Sequence, residues 1–257
     1  MLPKKRVISI DVSFGRYQEF VDAIINCASN NESAYVCVAN VHMLIEAVDS
    51  DDFSKIVNQA DIVTPDGIPL AKAFGHLYGI KQDRVDGMSL VPALVKEAIN
   101  KQVSVYFYGG SDALVSALDS HLKQKYPDLK VAGIYSPPFR PLTDKENQEI
   151  IDNINNSGAQ LVFVALGCPK QEKWMASMKG RIQATMIGIG GALPVFVGMQ
   201  KRAPSIMQKL GLEWLFRLFQ EPKRLFKRYF YTNSYYVCLF GMELIKKRFT
   251  VNKIKYQ

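Results

Sequence analysis

Through its first 200 residues the chain alternates short apolar runs with helical patterns, and the apolar runs end in turns rich in Gly, Pro or Asn. That rhythm has few folded solutions. Parallel strands joined by crossover helices satisfy it, with ligand-gathering loops at the carboxyl ends of the strands. Residues 34–39, 62–64, 104–108, 130–135, 160–166 and 184–189 read as strands, and 41–48, 68–78, 112–125 and 144–155 as helices. The expected fold class is α/β, a Rossmann-like parallel-sheet body over residues 1–200 in two lobes of roughly 1–100 and 101–200. Residues 1–13 alternate behind Lys4-Lys5-Arg6 and read as a strand rather than as the apolar core of a signal peptide. After Gly198 the pattern changes. Residues 204–209 and 213–219 read as short helices, Pro222 opens another, and 229–248 reads as a long one, so 201–257 is expected as a helical appendage.

That appendage carries 13 of the 32 Lys and Arg but 3 of the 24 Asp and Glu, with aromatics between the charges. The 200 residues before it hold 19 basic and 21 acidic side chains. A strongly basic segment on a neutral body addresses an anion, and nucleic acid, a membrane surface and a phosphorylated substrate are the candidates. Residues 229–245 are apolar but too short and too interrupted to span a bilayer. Four cysteines without close spacing suggest neither a zinc site nor a disulfide framework, and a reducing cytoplasm suits them. Neither a metal nor a cofactor is expected: Asp49-Ser50-Asp51 matches a short metal-holding pattern, but acids beside it read as a solvated helix end.

The turns carry the candidate chemistry. Asp66, in Thr64-Pro65-Asp66-Gly67 between a strand and a helix, suits both a helix cap and a catalytic base. Asn40 faces the same sheet edge, His42 lies one turn into the following helix, and Arg84 and Asp86 enter the next turn. Gly109 and Gly110 end a strand and open a helix, where bare N–H groups suit a phosphate as well as a plain tight turn. Gln171, in Gly167-Cys168-Pro169-Lys170-Gln171-Glu172, offers both a donor and an acceptor to a nucleotide or sugar.

Taken in order, Ala39-Asn40, Thr64–Gly67, Arg84-Val85-Asp86-Gly87, Tyr108-Gly109-Gly110, 136–140, Gly167–Glu172, Lys201-Arg202-Ala203-Pro204 and 211–217 resemble the WecG/TagA/CpsF family of bacterial glycosyltransferases. The likeness runs from about residue 36 to 229. It implies a metal-independent, inverting transfer from a UDP-sugar to a polyprenyl-diphosphate-linked saccharide, on the cytoplasmic membrane face, in surface polysaccharide synthesis. The donor sugar is then N-acetylmannosamine, its uronic acid, or another hexose or hexuronate. By the same resemblance Asp66 is the general base, Asn40, Arg84 and Gln171 line the donor pocket, and Gly109 and Gly110 approach the nucleotide; His42 joins the donor-side candidates only by its closeness to that edge, and a structural histidine reads as well. Arg217 and Arg224 match basic residues that meet the acceptor diphosphate. The implied partners are the UDP-sugar, the lipid-linked acceptor, an anionic membrane surface met peripherally, and a second copy of the chain, without nucleic acid. The alternative is a nucleic-acid-binding protein using Trp214, Arg217, Phe219, Arg224 and Tyr229 for stacking and phosphate contacts. The chain departs from the family pattern twice. Leu193-Pro194-Val195 stands where many members carry an aromatic-acid pair, and Val38 where some carry a hydroxyl.

Overall fold

A computed structural model of the chain describes residues 2–255, with side chains as far as Phe249. The first residue of the expected N-terminal strand and the last two of the expected appendage lie outside the described residues. The chain opens as a hairpin, β1 (Lys4–Val7) and β2 (Ile10–Ser13), paired antiparallel. The single strand expected over 1–13 is broken at Ile8, whose φ of 56° turns the chain back without a Gly or Pro to announce it. Then follow α1 (Tyr17–Ser29), β3 (Tyr35–Ala39), α2 (Val41–Asp49), α3 (Asp51–Asn58), β4 (Ile62–Pro65), α4 (Ile68–Tyr78) and α5 (Gly87–Asn100). The second half adds β5 (Val105–Gly109), α6 (Asp112–Lys125), β6 (Val131–Tyr135), α7 (Asp144–Asn156), β7 (Leu161–Ala165), α8 (Lys170–Met178), β8 (Thr185–Gly188) and a short α9 (Leu193–Phe196). The appendage is α10 (Ser205–Leu210), α11 (Glu213–Gln220) and α12 (Pro222–Lys255).

β3 to β8 form one parallel sheet in the order β4-β3-β8-β7-β5-β6. β8 comes from the second half of the sequence yet inserts beside β3 from the first. The two halves therefore share one sheet. Its central strands are buried on both faces, as parallel sheets require. Along β3, Tyr35, Cys37 and Ala39 enter one core while Val36 and Val38 enter the other. β5 and β7 alternate in step, and Phe107 and Phe163 stack across them at 4.9 Å.

The appendage lies against the body. Within α12, Leu225, Thr232 and Tyr236 are buried, a spacing that keeps one face of a helix inward. That face packs on α2 and α4. The Tyr236 hydroxyl donates to the Pro69 carbonyl at 3.1 Å and the Tyr231 hydroxyl to the Asp49 carboxylate at 3.1 and 3.3 Å. Asp49-Ser50-Asp51 has local duties: Asp49 receives Tyr231, and the Ser50 hydroxyl caps α3. Among the described residues no cluster of three or more His, Cys, Asp or Glu is disposed to hold a metal, and no helix is long and apolar enough to cross a membrane.

Candidate active site

A cavity of about 490 Å³ opens at the carboxyl ends of β3, β4, β7 and β8, and the appendage closes over it. The body supplies Asn40, His42, Asp66, Arg84, Asp86 and Gln171 to its wall, and the appendage supplies Glu213, Trp214, Arg217, Arg224 and Arg228. Of the residues expected to act on donor or acceptor, all but Gly109 and Gly110 therefore meet in one place.

Asp66 sits where β4 stops. Its backbone N–H donates to the Ala39 carbonyl at 2.7 Å, which ties the β4 turn to the end of β3. The cap of α4 is Gly67, at φ 96°, and Asp66 makes no capping bond. Of the two roles open to Asp66, the side chain is thus free for the other. Its Oδ2 accepts from the Asn40 amide at 3.4 Å. Asn40 is itself fixed, because its Oδ1 caps α2 by accepting from the Met43 N–H at 3.2 Å. Burial, with Asp86 and then Glu213 nearby, raises the Asp66 pKa to about 7 against the pull of Asn40 and Arg217. A carboxyl held there exchanges protons readily near neutral pH, which is what a general base needs.

Arg84 lines the cavity, but its guanidinium is already held. It pairs with Asp86 at 3.1 Å and with Glu213 of α11 at 2.8 Å. Arg202 completes a ring of alternating charges, at 2.9 Å from Asp86 and 3.6 Å from Glu213. Asp86 also caps α5, so the ring is anchored to a helix start. These four mostly buried side chains lash the appendage to the β4 edge of the body. Arg202 and Glu213 lie inside motifs that are visible in the sequence, yet only their pairing with Arg84 and Asp86 gives them a role.

Arg217 lies over Gly191, in the turn after β8: a Cβ at that glycine would come within 2.6 Å of its Nη2. Arg224 pairs with Glu221 at the cavity rim. Arg228, which sequence reasoning passed over, lines the same wall, and its Nε has no hydrogen-bond partner among the described residues. His42 is pushed down to about 4 by burial and by Arg228, so it stands neutral at pH 7, with Nε2 3.3 Å from Glu46. Val38 and Leu193 are buried, and the turn after β8 brings no carboxylate to the cavity.

Gly109 and Gly110 do not line the cavity. A Cβ at Gly109 would stand 2.7 Å from the Ala165 carbonyl oxygen, and one at Gly110 3.0 Å from Leu114. Close packing between β5, β7 and α6 accounts for both, at φ 109° and 94°. Gln171 is 4% exposed, and its amide is occupied on both sides, with Oε1 accepting from the Gly167 N–H at 3.1 Å and Nε2 donating to Glu172 at 2.8 Å.

Comparison with known proteins gives the family. The sequence matches the profile of the glycosyl transferase WecG/TagA/CpsF family over residues 5–250. An N-acetylglucosaminyldiphosphoundecaprenol N-acetyl-beta-D-mannosaminyltransferase of Bacillus spizizenii is 32% identical over 195 residues, 76% of this chain and 74% of its own. A protein of the same description from Staphylococcus aureus is 30% identical over 201 residues, 78% of this chain and 76% of its own.

Proposed function

The chain belongs to the WecG/TagA/CpsF family of glycosyl transferases, and on that footing we propose that it moves a sugar, with inversion, from a UDP-sugar to a polyprenyl-diphosphate-linked saccharide. The observation that carries this reading is the meeting of Asp66 with three arginines of the appendage in one cavity. The relatives' descriptions make N-acetylmannosamine the first donor sugar to test and an N-acetylglucosaminyl lipid diphosphate the first acceptor.

In the proposed reaction the acceptor hydroxyl gives its proton to Asp66 as its oxygen bonds to the anomeric carbon. The bond from that carbon to the UDP oxygen breaks on the opposite face, and UDP leaves with the electron pair. One displacement inverts the configuration. Asn40 holds the Asp66 carboxylate in place. Arg217, Arg224 and Arg228 supply positive charge for phosphate oxygens, at which planar guanidinium forks are effective. Metal independence follows if those arginines neutralise the leaving UDP.

We place the protein on the inner face of the bacterial membrane. Along the appendage Phe219, Phe226 and Phe230 are 75%, 63% and 71% exposed, beside Lys223 and Lys227. Exposed aromatics suit the lipid interface, and each nearby cation adds roughly 1 kcal/mol on an anionic leaflet. The nucleic-acid alternative gives no work to Asp66 or to the cavity. A panel of UDP-sugars offered with a synthetic polyprenyl-diphosphate N-acetylglucosamine, with and without EDTA, tests the reading: product from one donor, unchanged by EDTA, is expected. Turnover that EDTA abolishes would reject metal independence, and no product from any donor would reject the reaction.

A further inference from the structure

Glu172 is wholly buried, at 0% exposure, in the first turn of α8. A carboxylate in a dry interior costs stability that an apolar side chain of similar volume does not. The neighbouring inward positions of α8, Met175 and Met178, are apolar. One oxygen of Glu172 accepts from Gln171 Nε2 at 2.8 Å, while the other has no hydrogen-bond partner among the described residues. Burial raises its pKa, and the Gln171 amide, its own backbone N–H and the Cys168 thiol pull it back.

The Gln171 amide fills a slot between two glycines. A Cβ at Gly188 would lie 2.7 Å from its Nε2, and a Cβ at Gly190 3.1 Å from its Oε1. Shape alone does not choose between the two flips of an amide, since its oxygen and nitrogen ends are nearly the same size. The partners do choose. In the observed flip, Nε2 donates to Glu172 and Oε1 accepts from the Gly167 N–H. The opposite flip would set two acceptors against each other at Glu172 and two donors at Gly167.

We propose that Glu172 is a positioning residue, whose carboxylate fixes the flip of the Gln171 amide and so fixes which donor and which acceptor that amide presents to the sugar nucleotide. Gln171 lines the cavity, and with one N–H and one lone pair committed inward, a ligand meets the second N–H and the second lone pair. The inference rests on the UDP-sugar reading above.

A different role would be electrostatic support of the α8 N-terminus, where an acid in the first turn is favourable. The two roles separate in full-length Glu172→Gln and Glu172→Leu proteins, titrated with UDP by calorimetry and melted in parallel. Positioning predicts that wild type binds UDP, that Glu172→Leu, which offers no acceptor, binds it about tenfold or more weakly, that Glu172→Gln, whose amide oxygen still accepts from Gln171, stays closer to wild type, and that melting stays close to wild type or rises for Glu172→Leu. Unchanged UDP affinity in Glu172→Leu with a lowered melting temperature would overturn the assignment in favour of helix support. The flip is also read without any ligand, and in wild type alone, from the Gln171 side-chain amide in 15N-glutamine-labelled protein. One of its two protons is expected to be hydrogen-bonded and slow to exchange. Exchange at the rate of an exposed glutamine would overturn the inference even if both variants fail to fold or UDP fails to bind, the last result counting separately against the UDP-sugar reading.

Discussion

Asp66 is held by two constraints, the Ala39 carbonyl on its backbone and the Asn40 amide on its carboxylate, in a recess that raises its pKa to about 7. In the proposed reaction ionised Asp66 is the base, so kcat is expected to rise with pH through about 7 and to level off above. Asp66→Asn should lose roughly 10²- to 10⁴-fold in rate while binding UDP nearly as well as wild type, and an unchanged rate would remove Asp66 from the chemistry. The same shift loads the fold. A carboxyl whose pKa is raised on folding costs nothing below its unfolded value of 3.8, and the cost grows as pH rises to about 7. Asp66→Asn is therefore expected to melt close to wild type at pH 4 and above it at pH 8. Equal melting at both would show that the carboxyl is not desolvated. Gly191 acts by leaving space, since any side chain there meets Arg217. Gly191→Val should cost most of the activity with a small change in melting temperature, and retained turnover would show that Arg217 need not lie there.

At the scale of elements, the ring of Arg84, Asp86, Arg202 and Glu213 ties the appendage to the body. Removing Glu213 would leave Arg84 and Arg202 to share the one carboxylate of Asp86. Glu213→Ala is expected to cost about 2 kcal/mol in denaturant unfolding and to speed proteolysis near residues 199–204, whereas unchanged cleavage would show that the ring does not hold the appendage down. This ring also shows where sequence reading stops. Helices α4 and α6 lie where their periodicity put them, because α4 ends on Gly79 in the left-handed conformation and α6 starts at the Ser111 cap. The edge on which Asn40, Asp66 and Gln171 meet was legible from strand-turn-helix order. Pairing between Arg84 and Glu213, 129 positions apart, leaves no local trace. Gly109 and Gly110 show a different limit: a glycine needed for close packing and one needed for a phosphate look the same in one sequence. α12 reads as two helices where there is one, since the polar residues 232–234 sit on an unbroken helix, with the Thr232 hydroxyl bonded to the Arg228 carbonyl.

At the scale of the whole molecule, one cavity joins Asp66 of the body to Arg217, Arg224 and Arg228 of the appendage. α12 is 34 residues long, about 50 Å at helical rise, with one face on α2 and α4 and aromatics exposed along its start. Replacing Phe226 and Phe230 together by Ser should weaken binding to vesicles containing phosphatidylglycerol and leave UDP affinity unchanged. Wild-type binding to those vesicles should fall as salt rises, and vesicle binding untouched by both changes would move the membrane contact off this face. The central claim joins Asp66, the arginines and a lipid-linked acceptor in one inverting step. It is tested most directly by incubating the full-length protein with UDP-N-acetylmannosamine and polyprenyl-diphosphate N-acetylglucosamine, and by reading the anomeric configuration of the product by NMR, for wild type and Asp66→Asn. A disaccharide lipid of configuration opposite to the donor's, formed by wild type and scarcely by Asp66→Asn, is the predicted result; a product of retained configuration, or one formed equally fast by both proteins, would contradict it.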